Sequence, residues 1–332
     1  MQDTKLIRSS GLNRKRAHRI GLHIGIGLLI CIIILAAVFL IPGLIQRWTN
    51  YNLSMLIRMT DRMFPYFWIH CGIAVAVFLL EMAVVGWKNS SLRSLLHPDK
   101  SLISDIWIFL VNALYLDYII VFLLTLGATH KLRIGVKAAI GMDEGLLASA
   151  IASPVIQMLM YIIIADFVLY MEHFLHHRLS FLWAFHSYHH SATQLNVLTG
   201  NRGHPVQAEL TNSIISVVPL AIIGVPLVSL FAFRLLRNTL VFLHHSRIPW
   251  SWGWIGRHIL VSPAYHRIHH SVRPEHYDKN LAVMFPLWDH LFGTYYKGSV
   301  PALETGLPDN PYNCKSFLDD MIVPFRMFSK KG

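Results

Sequence analysis

The sequence predicts an all-α integral membrane protein: a helical bundle of about four spanning helices plus a re-entrant hairpin, closed by a His-rich helical cap on the cytoplasmic side. Three observations lead there. Of 332 residues, 54% are hydrophobic and only 14% charged, which is too apolar for an ordinary soluble domain. Several apolar stretches reach the roughly 20 residues that a helix needs to cross a bilayer. Finally, 20 histidines are present, and most sit at helical spacings in the second half of the chain.

The formal net charge of +11 does not point to nucleic acid, because the basic residues are not interleaved with aromatics in a polar setting. Nucleic acid is therefore excluded as a partner. Cys31, Cys71 and Cys314 lie far apart, so neither a disulfide framework nor a cysteine zinc site is encoded.

Residues 1–19 form a basic N-terminus with Lys5, Arg8, Arg14, Lys15, Arg16 and Arg19 against Asp3. Residues 20–45 follow without a charged side chain and would run about 39 Å as a helix. A basic flank before a long apolar run predicts a retained membrane helix with its N-terminus in the cytoplasm, rather than a cleaved signal peptide. Further spans are predicted at about 64–87, containing Glu81; at 105–129, containing Asp117; and at 145–171, ending in Asp166 and Tyr170. Glu81 and Asp117 read as buried structural groups. Residues 20–140 thus make an N-terminal transmembrane region.

The stretch 213–233 contains Pro219, Gly224 and Pro226. Crossing the membrane once would put the histidines before and after it on opposite faces. A hairpin, or a pair of tilted half-length helices breaking near Gly224 and Pro226, lets them meet. Beyond residue 246 the charge density is ordinary, as expected of a cytoplasmic cap.

Fifteen of the 20 histidines lie between residues 173 and 290. His173 and His177 are four apart; His186, His189 and His190 form a His-x-x-His-His box; His244 and His245 are adjacent; His266, His269 and His270 repeat the box. Separations of three and four stack imidazoles on one helix face. Eight or nine such donors exceed what one ion uses, so two metals are the economical reading. Imidazole suits iron, copper, zinc and nickel alike. The order Glu172-His173 is wrong for a His-Glu-x-x-His protease, and the Glu-x-x-His pairs of soluble di-iron bundles are missing.

The strings Asp166-Phe167, Leu182-Trp183-Ala184-Phe185-His186-Ser187-Tyr188-His189-His190-Ser191, Leu195-Asn196, Arg202-Gly203-His204-Pro205, His245-Ser246, Ser262-Pro263-Ala264-Tyr265-His266-Arg267-Ile268-His269-His270-Ser271, Asp278-Lys279-Asn280 and Trp288-Asp289-His290-Leu291-Phe292-Gly293-Thr294-Tyr295 resemble the fatty acid hydroxylase and sterol desaturase superfamily of membrane di-iron oxygenases. The resemblance covers roughly 160–296, within a catalytic domain expected over 141–300 and followed by a tail at 301–332. It departs from the family pattern at Phe174, Arg247 and Leu281-Ala282.

This resemblance implies an O2-dependent lipid hydroxylase or desaturase attacking an unactivated C–H bond through two iron ions. It also implies a membrane lipid substrate, a separate electron donor of ferredoxin, cytochrome b5 or reductase type, and an active site facing the cytoplasm. Carried over by position, the ligands are His173, His177, His186, His189, His190, His245, His266, His269 and His270. His176 and His244 are neighbours able to substitute. Asp166, Asn196 and Asn280 are candidates to orient ligand imidazoles from behind, and Arg202 to hold similar bonds. His204 and His290 read as lying outside the metal set. The alternative from another class is a membrane protein that binds or transports zinc or copper on the same cluster without redox chemistry. A bis-His haem carrier is a third option, but it needs one histidine on each of two spanning helices.

Overall fold

In the computed structural model the described residues are 67–114, 116–125, 151–223, 227–298 and 304–329, with isolated positions between 131 and 150. The expected span at 20–45 and the basic N-terminus lie outside them. All described residues fall in one unit, Met63–Gly332. They are helical, and apart from one isolated bridge between Ser271 and Thr305 they form no β-structure.

Helix α1 spans Phe67–Val85, α2 Lys100–Ala113, α3 Leu116–Leu124 and α4 Pro154–Arg178. Next come α5, Ser180–His190; α6, Pro205–Ile223; α7, Leu227–His245; α8, Gly253–His258; and α9, Pro263–His269. Leu287–Phe292 is α10 and Phe317–Ser329 is α11. Among the described residues, α1 and α4 are long and apolar enough to cross a membrane, with mean hydropathies of 2.1 and 1.8.

Two expected spans are corrected. The described part of 105–129 belongs to two helices rather than one, α2 of 14 residues ending at Ala113 and α3 of 9 residues starting at Leu116. Helix α2 starts early, at the Asp99 side chain that accepts from Leu102 N, and buries a polar face of Ser101, Ser104 and Asp105 against protein. A hydropathy sum cannot see that these polar residues share one face. The span placed at 145–171 is displaced to 154–178. Pro154 lacks the N–H that would be orphaned in a first turn, so it sets the start, and the helix runs on through both leading histidines.

The expected breakpoint at Gly224 and Pro226 lies outside the described residues; on either side of it α6 and α7 are 19 residues each, not the half-length helices expected within 213–233, because both extend into the polar sequence flanking that apolar stretch. Helix α6 packs along α4, while α7 packs along the 3-10 turn Val197–Asn201 and against α9. The central core is Tyr161, Ala165 and Leu169 of α4 with Ile223, Phe233, Leu240 and Met284. A second core joins Ala74, Val77 and Phe78 of α1 to Val197, Leu198 and Phe242.

A buried polar knot locks α2 to the histidine region. The fully buried Arg202 guanidinium donates to Asp105 Oδ1 at 2.7 Å, to the carbonyls of Ser101 and Tyr188, and to Ser191 Oγ. Asp105 Oδ2 also accepts from Asn196 Nδ2 and Thr199 Oγ1. A buried ion pair with its remaining donors and acceptors filled is tolerated, whereas losing one partner costs about 3–5 kcal/mol. Glu81 closes a second contact, accepting from Ser91 N, Ser91 Oγ and Arg247 N.

Candidate metal centre

The histidine boxes sit where α4 and α7 end and where α5 and α9 cross between them. The first box lies wholly on α5, and the second ends α9 with His270 as the cap residue; in each, the middle and last rings flank the first on opposite edges of one helical stripe, roughly 100° apart around the axis. That geometry divides the set. His173, His177, His186, His190 and His269 form one group, and His189, His245, His266 and His270 form another, the candidate ligand atoms within each group lying within 4.8 Å of one another. Both boxes contribute to both groups, and the rings of His190 and His270 stack between them at 4.6 Å.

Within the first group, His186 Nε2 lies 3.1 Å from His173 Nε2 and 3.2 Å from His190 Nε2. Within the second, His245 Nε2 lies 3.3, 3.1 and 3.2 Å from the Nε2 atoms of His189, His266 and His270. Those nitrogens cannot all carry protons. His173 Nδ1 donates to Leu281 O at 2.7 Å, His269 Nδ1 to Lys279 O at 3.1 Å, His189 Nδ1 to Arg202 O at 3.2 Å and His245 Nδ1 to Val241 O at 2.7 Å. A carbonyl oxygen only accepts, so each ring is protonated at Nδ1 and its Nε2 is a lone pair. His177 Nδ1 lies 3.4 Å from Asp278 Oδ1 and its Nε2 is buried without a hydrogen-bond partner, as is His269 Nε2.

Charge on the rings does not relieve the crowding. Burial first, and the neighbouring imidazoles second, hold His186, His190, His266 and His270 well below the usual histidine range. Converging neutral lone pairs in a buried site fit a cation at the centre of each group. The donor set therefore fits a metal pair.

Nine histidines were expected as ligands and all nine fall in these two groups; no other described histidine does. His176 instead directs Nδ1 to Glu172, and His244 Nε2 donates to Val261 O. His204 Nε2 donates to Met321 O and His290 Nε2 to Arg257 O.

The three residues expected to orient imidazoles directly do not touch one. Asp166 accepts from Met284 N, Phe285 N and Trp288 Nε1. Asn196 caps the 197–201 turn and donates to Asp105. Asn280 donates to Tyr265 O and accepts from Tyr296 N. Their effect on the histidines runs through the backbone: Asn280 sits between Lys279 and Leu281, whose carbonyls orient His269 and His173. Asp289, which the sequence reading passed over, supports the same segment by accepting from Leu281 N, Ala282 N, Tyr265 OH and Thr294 Oγ1. Asp278 and Gln207 were also missed. Asp278 stands inside a motif string, but nothing in the sequence says that it faces His177.

Residues 158–294 match the family model described as fatty acid hydroxylase. Over 212 residues the chain is 28% identical to ornithine lipid hydroxylase OlsE of Rhizobium tropici, covering 59% of this chain and 62% of that protein. Over 131 residues it is 36% identical to alkylglycerol monooxygenase of Danio rerio and 34% identical to that of Homo sapiens, covering 39% of this chain and 28% of each relative. The chain thus spans less than two thirds of the length of these relatives. No solved structure matches it. The His boxes at 186–190 and 266–270 lie inside the matched region, so it is this 158–294 segment, and with it the candidate metal centre, that is similar to the fatty acid hydroxylase family.

Proposed function

We propose that this protein is an O2-dependent hydroxylase of a membrane lipid, using two irons held by the two histidine groups. The observation that carries the reading is the convergence of buried Nε2 atoms from His173, His186 and His190 on one side and His189, His245, His266 and His270 on the other, with the protons of His173, His189 and His245 held at Nδ1 by carbonyls. An iron pair supplies O2 activation and the oxidising power that an aliphatic C–H bond demands, which zinc lacks. The similar proteins are by name hydroxylases and monooxygenases of lipids, which favours hydroxylation over desaturation.

The protein's own work is to hold and to exclude. The carbonyls of Leu281, Lys279, Arg202 and Val241 fix four rings in the ligating tautomer before metal arrives. Trp183 lies 5.1 Å from the His177 ring and 5.4 Å from the His190 ring, covering the first group. The alkyl chain would come from the bilayer beside α4, its burial worth about 0.8 kcal/mol per CH2. Electrons would be delivered on the cytoplasmic face by a separate donor.

The test is to purify the full chain, count its metals, and supply 18O2 with a reductant and the host's lipid extract. Two irons per chain and one 18O in a hydroxylated lipid are expected. Zinc alone, with no O2-dependent product, would reject the proposal.

A further inference from the structure

The amide nitrogen Nε2 of Gln207 lies 2.9 Å from His186 Nδ1, while the amide oxygen Oε1 is buried with no hydrogen-bond partner. The two facts conflict with a ligating His186. A neutral imidazole has one proton. If Nδ1 accepts from an amide N–H, that proton sits on Nε2, the atom that faces His173 and His190 at 3.1 and 3.2 Å. A half turn about the last side-chain bond of Gln207 exchanges its nitrogen and oxygen and leaves the rest of the side chain in place. Oε1 then accepts from His186 Nδ1–H, the orphaned acceptor is filled, and Nε2 of His186 is freed as a lone pair.

We propose that Gln207 is a positioning residue of the first metal group: it turns Oε1 to His186 Nδ1–H and so sets the tautomer in which His186 ligates. This rests on the two-metal reading above. It gives His186 what Leu281 O gives His173 and Lys279 O gives His269, from a side chain rather than a carbonyl. Helix α6 is held in register for the task. One turn beyond Gln207, Thr211 donates to Glu172 Oε1 at 2.5 Å, which ties the start of α6 to the end of α4, where His173 and His177 stand.

The experiment titrates Fe(II) alone, anaerobically, into the purified full chain and its Gln207→Leu and Gln207→Glu variants. Leucine removes the acceptor at similar size; glutamate keeps one. Gln207→Leu should weaken one of the two irons by about 10–100-fold, the usual effect of losing a partner behind a ligand, with the other iron unchanged. Gln207→Glu should retain both. With Zn(II) in place of iron, histidine 15N shifts should show Nδ1–H at His186 in the parent protein. Equal affinities in parent and Gln207→Leu, or a Gln207→Glu variant as weak as Gln207→Leu, would overturn the role of Gln207 and leave the metal pair standing. A parent chain that binds no second iron would sink the two-metal reading itself.

Discussion

His186 and His173 meet Nε2 to Nε2 at 3.1 Å, although the proton of His173 is already committed through Nδ1 to the carbonyl of Leu281. The same frustration recurs between His245 and His266, where the His245 proton is committed to Val241 O. A cation accepting several lone pairs at once would resolve each, and the predictions follow from that arrangement.

His269→Ala removes a donor from the first group and the edge-on ring contact to His190 at 4.5 Å. Iron affinity of that group should fall by more than about 100-fold, since even partners behind a ligand are worth 10–100-fold. Lipid hydroxylation should disappear while the protein still fractionates with membranes. Metal analysis of the membrane-extracted variant checks this, and unchanged iron content would exclude His269 as a ligand.

Asp289→Ala should destabilise the protein by at least about 3 kcal/mol, because it strands the buried Leu281 and Ala282 N–H groups and the Tyr265 and Thr294 hydroxyls, each costing about 1–3 kcal/mol. Loosening Leu281 also frees the carbonyl that orients His173, so iron should be bound more weakly. Thermal unfolding and iron titration of the same variant measure both effects.

His204 couples stability to pH. Burial holds its pKa down to about 4, against the 6.5 of a free histidine, while Nδ1 accepts from Val206 N and Nε2 donates to Met321 O on α11. The folded protein therefore binds fewer protons at this site than the unfolded chain below pH 6.5. Stability rises with pH in that window: the contribution is full above 6.5 and is lost as pH falls toward 4, amounting to roughly 3 kcal/mol. In His204→Gln, which keeps a donor for Met321 O and does not titrate, the acid slope of a denaturation series should be shallower. Identical slopes would remove His204 from the account.

Cysteines placed at Thr193 and Glu275, both exposed, follow the two His boxes. A membrane-impermeant thiol reagent should label both from the same side in a background without Cys31, Cys71 and Cys314. Labelling from opposite sides would mean that 213–233 crosses the bilayer once, contrary to the shared metal groups.

Much of this was legible because helical spacing is a local property. His186, His189 and His190, or His266, His269 and His270, place three imidazoles within reach of one helical side whatever surrounds them. Spans were less so. Residues 105–129 were read as a span despite Asp117, but the helix that enters them starts at Lys100, and its Ser101, Ser104 and Asp105 share a face that Arg202, Asn196 and Asp320 fill. Asp166 and Asn280 were marked as important for the metal site, yet they hold backbone rather than imidazole.

By itself, then, the sequence determined the helical, apolar class of protein and the histidine boxes at helical spacing, because these depend on composition and on spacing along one helix, while the choice of nine rings came from the resemblance its motifs carry. Only the tertiary structure decided how the rings divide into groups of five and four, and which atoms behind them, from Leu281 O to Gln207, choose each tautomer. Those relationships join residues up to 108 positions apart, and they are set by how α4, α5, α7 and α9 cross, which no local pattern encodes.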